Sequence, residues 1–203
     1  YMTTLIRNLH VVAAVLWLAT GCSLLPRPEP VATDQYVLEY AAAGKSPLPD
    51  APDLIVTTPR AHGGYDTPRM AYMQQAYGLR YYTLSRWADT PARMLAPLLA
   101  DAIQGTGRFQ AVYASPGSIA ADLRLDTELV RLHQDFTRQP SEIQLTMRAR
   151  LVDVRKGRVI ATRQFDVSVA AESDDTYGGV VAANQAVGQL LPMLAQFCAT
   201  GHD

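Results

Sequence analysis

The sequence predicts an α+β domain, a mainly antiparallel sheet with two helices packed on one face. Three observations carry this expectation. Long segments after residue 120 alternate apolar and polar residues with a period of two, as strands with one wet face do. Two other segments carry apolar residues at helical spacing between recognisable start and stop signals. The order is short strands, helix, long strands, helix, which fits helices collected on one side of a sheet.

The elements follow in chain order. Residues 36–40 (Tyr-Val-Leu-Glu-Tyr) form a short strand candidate, and Leu54-Ile55-Val56-Thr57 reads as a buried β run after a loop rich in proline. His62-Gly63-Gly64 and Thr67-Pro68 are turn signals. Residues 69–74 and 79–84 are two strands around a turn at Gly78, in a stretch crowded with Tyr72, Tyr77, Tyr81 and Tyr82. Thr90-Pro91 is a helix start, an N-cap followed by proline at the first position. Met94, Leu95, Leu98, Leu99, Ala102 and Ile103 then make one apolar stripe, and Gly105 and Gly107 end it.

Residues 109–113 read as a short strand. Leu123, Leu125, Thr127 and Leu129 alternate with Arg124, Asp126 and Glu128, after which the phase slips to Val130 and Leu132, the mark of a bulge. Ile143, Leu145, Met147, Ala149 and Leu151 alternate with Gln144, Thr146, Arg148 and Arg150. A turn at Lys156-Gly157 leads to residues 159–169, with Ala161, Arg163, Phe165, Val167 and Val169 on one face. A final helix spans residues 177–199, capped by Asp174, Asp175 or Thr176, with Val180, Val187, Leu190, Leu191, Leu194 and Phe197 facing the core.

The first residues set the compartment. Arg7 precedes an apolar run over residues 9–19, about 11 residues against the roughly 20 a membrane-spanning helix needs. Charge, short apolar run and small residues at its end read as a secretory signal over residues 1–21. Leu18-Ala19-Thr20-Gly21-Cys22 resembles the bacterial lipobox, which implies cleavage before Cys22 and acylation of its thiol. Under the sorting rule that accompanies the lipobox, Ser23 favours the outer membrane, facing the periplasm. Residues 22–34, with Pro26, Pro28 and Pro30, read as a lipidated tether. At about 3 Å per residue it reaches up to roughly 35 Å. Residues 35–203 remain as one periplasmic α+β domain, long enough to bury a real core.

Chemistry is sparse. With Cys22 acylated, Cys198 has no intrachain disulfide partner and reads as a small buried hydrophobe. The scattered histidines His62 and His133 offer no metal-ligand spacing, and there is neither a nucleophile elbow nor a phosphate loop. No catalytic residue, metal or cofactor is expected. The formal net charge of −1 gives no global case for nucleic acid. Arg86-Trp87-Ala88-Asp89, just before the first helix, is the most informative feature: Trp87 and Arg86 are read either as a structural corner or as a partner contact. Tyr36 carries the same two readings, since tyrosine suits both strands and interfaces.

The lipobox cysteine, Tyr36-Val37-Leu38, Leu54-Ile55-Val56, Asp66-Thr67-Pro68-Arg69-Met70 and Leu84-Ser85-Arg86-Trp87-Ala88-Asp89 before an amphipathic helix occur in an order that resembles the auxiliary lipoproteins of ABC-type transport systems, the PqiC-like family. The family's usual residue after the Trp-Ala pair is Glu, where this chain has Asp89. The resemblance implies a non-catalytic outer-membrane component beside an MCE-domain protein. Such systems move phospholipids or other hydrophobic molecules across the envelope. It also implies membrane attachment through the N-terminal lipid, and a homo-oligomer matching the partner's symmetry is a further expectation. Two other readings stand beside it: an assembly or plug lipoprotein for an outer-membrane β-barrel, and a lipid-binding carrier, which requires an apolar cavity between sheet and helices.

Overall fold

The computed structural model describes residues 32–114 and 120–201. The expected signal segment, Cys22 and most of the expected tether lie outside them. The chain divides into Tyr1–Ala32 and Thr33–Asp203, and the second unit holds every element described here. In order these are β1 (Asp34–Tyr36), β2 (Leu54–Val56), β3 (Arg60–Ala61), β4 (Arg69–Met73), β5 (Leu79–Trp87), α1 (Pro91–Gln104), β6 (Val112–Ala114), β7 (Leu123–Asp135), β8 (Glu142–Asp153), β9 (Arg158–Ala170) and α2 (Thr176–Thr200).

All the described strands join one sheet organised around β7. On one side β7 pairs antiparallel with β8, and β8 with β9, along nearly their whole lengths. These long ladders make the sheet mostly antiparallel. On its other side β7 meets three short strands in relay, all parallel to it: β2 at Leu123–Leu125, β3 at Glu128–Leu129 and β4 at His133–Asp135. β6 adds to β2 and β1 to β5, again parallel. The β7–β8 register shifts between Leu129 and Arg131, where the sequence phase slips. A bulge there moves the core-facing set from Leu129 to Leu132 and Gln134. Gly157, at φ 61°, makes the tight β8–β9 turn that most side chains disfavour.

The two helices cover one face. α2 lies over β8 and β9 and against α1, while α1 covers β6 and β2. Leu145, Met147, Ala149 and Leu151 of β8 meet Val187, Leu190, Leu191 and Leu194 of α2, all fully buried. Burying each of the larger side chains contributes about 2 kcal/mol. α1 has the bounds read from the sequence, and Pro97 sits inside an unbroken helix. Its Thr90 caps by backbone position only; the Thr90 side chain makes no cap bond, and the Asp89 carboxylate accepts the Thr90 N–H instead. At α2 the cap is Asp175, whose carboxylate accepts the Gly178 N–H at 2.7 Å.

Two strand expectations are corrected. The first strand is Asp34–Tyr36, not residues 36–40. Beyond Tyr36 the backbone turns from β5 to α2: Asn184 of α2 accepts the Glu39 N–H and donates to the Val37 carbonyl. A helix side chain thus satisfies groups that a strand neighbour would take. The strand expected over residues 109–113 is Val112–Ala114. Phe109 is fully buried, but in a loop, where its bulk fills the core without ladder pairing.

Candidate functional site

A polar network joins the helix-covered face to the start of α2. Gln134, 2% exposed, points under α2. Its carbonyl accepts from the Tyr82 hydroxyl at 2.9 Å, and its amide donates to Ser141 Oγ at 2.9 Å and to the Asp175 carbonyl at 3.2 Å. The Ser141 N–H donates in turn to Asp174. A buried amide left unpaired would cost about 1–3 kcal/mol, so this network locks β5, β7, β8 and α2 together. Gly179 makes room for it, because a Cβ there would run into the Gln134 carbonyl oxygen. Neither Gln134 nor the need for Gly179 was read from the sequence; a glycine pair just inside a helix start was the available signal.

Packing leaves little space between the layers. The cavity lined by Met70, Tyr82, Trp87, Leu132, Gln134, Ile143 and Gly179 is about 10 Å³, at most one water molecule. Cys198 is fully buried on α2, and burial pushes its thiol up to about 12, far from a reactive thiolate at neutral pH. Among the described residues no three His, Cys, Asp or Glu side chains gather to hold a metal ion.

The opposite face is open and charged. Arg124 forks onto Asp126 at 2.9 and 3.1 Å, and Arg148 reaches Glu128 at 3.1 Å. Arg131 donates to Thr146, which donates to Asp166. These hydrogen bonds hold the Asp166 carboxyl below the usual range, led by the Thr146 hydroxyl. A shallow groove of about 540 Å³ runs over this checkerboard. Nearer β4 the loop after β3 covers His133: the Tyr65 hydroxyl lies 2.9 Å from His133 Nδ1 and the two rings stack. Burial pushes the His133 pKa below the ordinary value.

The residues singled out in the sequence meet where β1 joins β5. β1 pairs with the end of β5, setting Asp34 opposite Ser85, Gln35 opposite Arg86 and Tyr36 opposite Trp87. Trp87 is 3% exposed and turned into the core, with its N–H donated to the Pro68 carbonyl at 2.8 Å. The next N–H, of Ala88, donates to Tyr36. The Tyr36 ring lies 6.2 Å from that of Tyr177 at the start of α2, and burial together with Asp34 pushes the Tyr36 hydroxyl pKa up. Arg86 points the other way and is exposed. Its cross-strand neighbour on β4 is Arg69, whose guanidinium sits 3.9 Å over the Tyr81 ring. Both arginines line a groove of about 360 Å³ with Thr33, Thr83 and Ser85. The pairing with Arg69 was not foreseen, because β5 bulges between the two matched positions.

These features define a class: a two-layer α+β module with one face sealed by helices and one face open and charged. Within that class the chain belongs to the family of ABC-type transport auxiliary lipoprotein components, whose model matches residues 36–195. Among solved structures it is similar in fold to a Xanthomonas campestris protein of the DUF330 family (24% identity, 83% of this chain, 96% of that one, TM-score 0.74). It is also similar to an uncharacterized protein (14% identity, 81% and 97% covered, TM-score 0.65) and to a hypothetical protein from Chlamydia trachomatis (8% identity, 73% and 96% covered, TM-score 0.51). No curated protein matches the chain in sequence.

Proposed function

We propose that the chain is the non-catalytic, lipid-anchored component of an ABC-type transport system, tethered through Cys22 to the outer membrane and docking an MCE-domain protein from the periplasmic side. Family membership over residues 36–195 carries the reading. Cys22 in its lipobox and the proline-bearing tether support the anchor. The packed core supports docking over carriage: a lipid needs hundreds of Å³, and among the described residues the cavity beneath Gly179 holds about 10 Å³. Tyr36 stands at the tether junction as a contact residue with Arg86 exposed beside it, and Trp87 holds that junction to the core.

The test is detergent co-purification of the full-length lipoprotein from its native envelope, with mass spectrometry of what accompanies it. Recovery of an MCE-domain protein is the expected result. Recovery of an outer-membrane barrel without one would replace the reading with barrel assembly. In the same cells Cys22→Ser abolishes incorporation of labelled fatty acid into the chain.

A further inference from the structure

From the groove at the tether junction we infer a binding site for the phosphate of an anionic phospholipid headgroup, held between Arg69 and Arg86. The inference rests on the anchored reading above and adds a ligand to it.

Arg69 and Arg86 occupy directly paired positions on β4 and β5. Like charges in that arrangement repel and weaken the sheet. Elsewhere on the open face arginines lie beside acids, as with Arg124 and Asp126 or Arg148 and Glu128. Here, among the described residues, neither guanidinium has a carboxylate within ion-pair distance, and no acidic side chain lines the groove. Arg69 is held over the Tyr81 ring, and Tyr81 is itself fixed by its hydroxyl donating to the Gly64 carbonyl at 2.9 Å. A preset guanidinium opposite a second, exposed one is the arrangement that grips a phosphate through paired N–H donors. An anion between them turns the repulsion into two attractions.

Place identifies the source of the phosphate. Thr33, where the tether joins the domain, lines the groove. The chain from Cys22 to this point reaches at most roughly 35 Å, so an acylated protein carries the groove within reach of the lipid surface at high effective concentration. Leu84, beside the groove on β5, is 53% exposed and offers an apolar contact just below the headgroup.

The experiment uses residues 22–203 carrying Cys22→Ser, which hold the whole described core and bring no acyl chain of their own. Co-sedimentation is measured with vesicles of phosphatidylglycerol and phosphatidylcholine in equal parts, and with phosphatidylcholine alone. Binding to the anionic vesicles is expected, falling about thirtyfold in Arg69→Gln/Arg86→Gln. The double Arg60→Gln/Arg150→Gln removes the same charge from the other groove and is expected to bind like the parent. Thermal melts check folding: Arg86→Gln alone should melt no lower than the parent, because it relieves the paired like charges, while it weakens vesicle binding about fivefold. Absence of vesicle binding by the parent overturns the proposal, as do equal losses in the two doubles, which would mean general charge attraction. Inorganic phosphate that shifts the emission of Trp87, the one tryptophan in this segment, without any vesicle binding overturns the lipid source in favour of free phosphate. Co-purification separates this site from the docking role. Loss of transport partners in Arg69→Gln/Arg86→Gln, with vesicle binding intact, would make the groove a protein contact instead. A parent that recovers its partners but ignores vesicles loses the headgroup site and keeps the docking role.

Discussion

Strand β8 carries two opposite surfaces within twelve residues. Toward the helices it presents Ile143, Leu145, Met147, Ala149 and Leu151, all buried. Toward solvent it presents Gln144, Arg148 and Arg150, with Thr146 bound among charged neighbours. The first set stabilises the fold by removing apolar area from water; the second is held by pairs that water weakens. The open face is therefore free to change its charges at small cost, and that is where contacts with partners or lipid can be built. Within the open face the contrast repeats. The β7–β9 part balances its arginines with acids, and the β4–β5 part does not.

The comparison breaks most visibly in the core. Leu145→Ala should destabilise the domain by about 3 kcal/mol in urea unfolding, by lost transfer energy and the cavity left behind. An effect below about 1 kcal/mol would mean that the helices sit loosely on the sheet. Gly179→Ala sets two effects against each other. Alanine favours a helix by about 1 kcal/mol, but its methyl group meets the Gln134 carbonyl and disturbs a buried network. Overpacking should win, giving a net loss of about 2 kcal/mol, and Gln134→Ala in the same chain should recover part of it.

His133 sharpens the comparison by pH. Its folded pKa lies below the ordinary 6.5 because burial disfavours the imidazolium. The unfolded chain therefore takes up the proton first. The stability that neutral His133 provides is complete above 6.5 and is lost as the pH falls from there through the folded value. Urea midpoints should begin to decline as the pH falls below about 6.5, and His133→Gln should flatten that decline. The smallest effect belongs to the balanced charges: Arg148→Ala should cost about 0.5 kcal/mol and fade with added salt.

Much of this architecture was legible locally. Pro91 and Gly105 bracket α1, because proline at the first helical position and glycine just past the last act through the local backbone. The slip after Leu129 revealed the bulge, because a period of two cannot change phase otherwise. Residues 36–40 misled, because a β-favourable run does not say whether its backbone groups will meet a strand or Asn184 of a helix. Trp87 and Arg86 could be marked as informative but not sorted into core and surface, since alternation near a strand end gives no anchor for which face is inside.

By itself the sequence determined the element types and the apolar face of each long strand and helix, because periodicity and caps are properties of neighbours in the chain. Only the tertiary structure decided that β2, β3 and β4 line up in relay along β7, that Gln134 reaches the start of α2, and that Arg69 faces Arg86. Those pairings join residues far apart in sequence. Short strands carry too few side chains to specify a partner, so packing of the whole core selects among registers that local chemistry leaves equal.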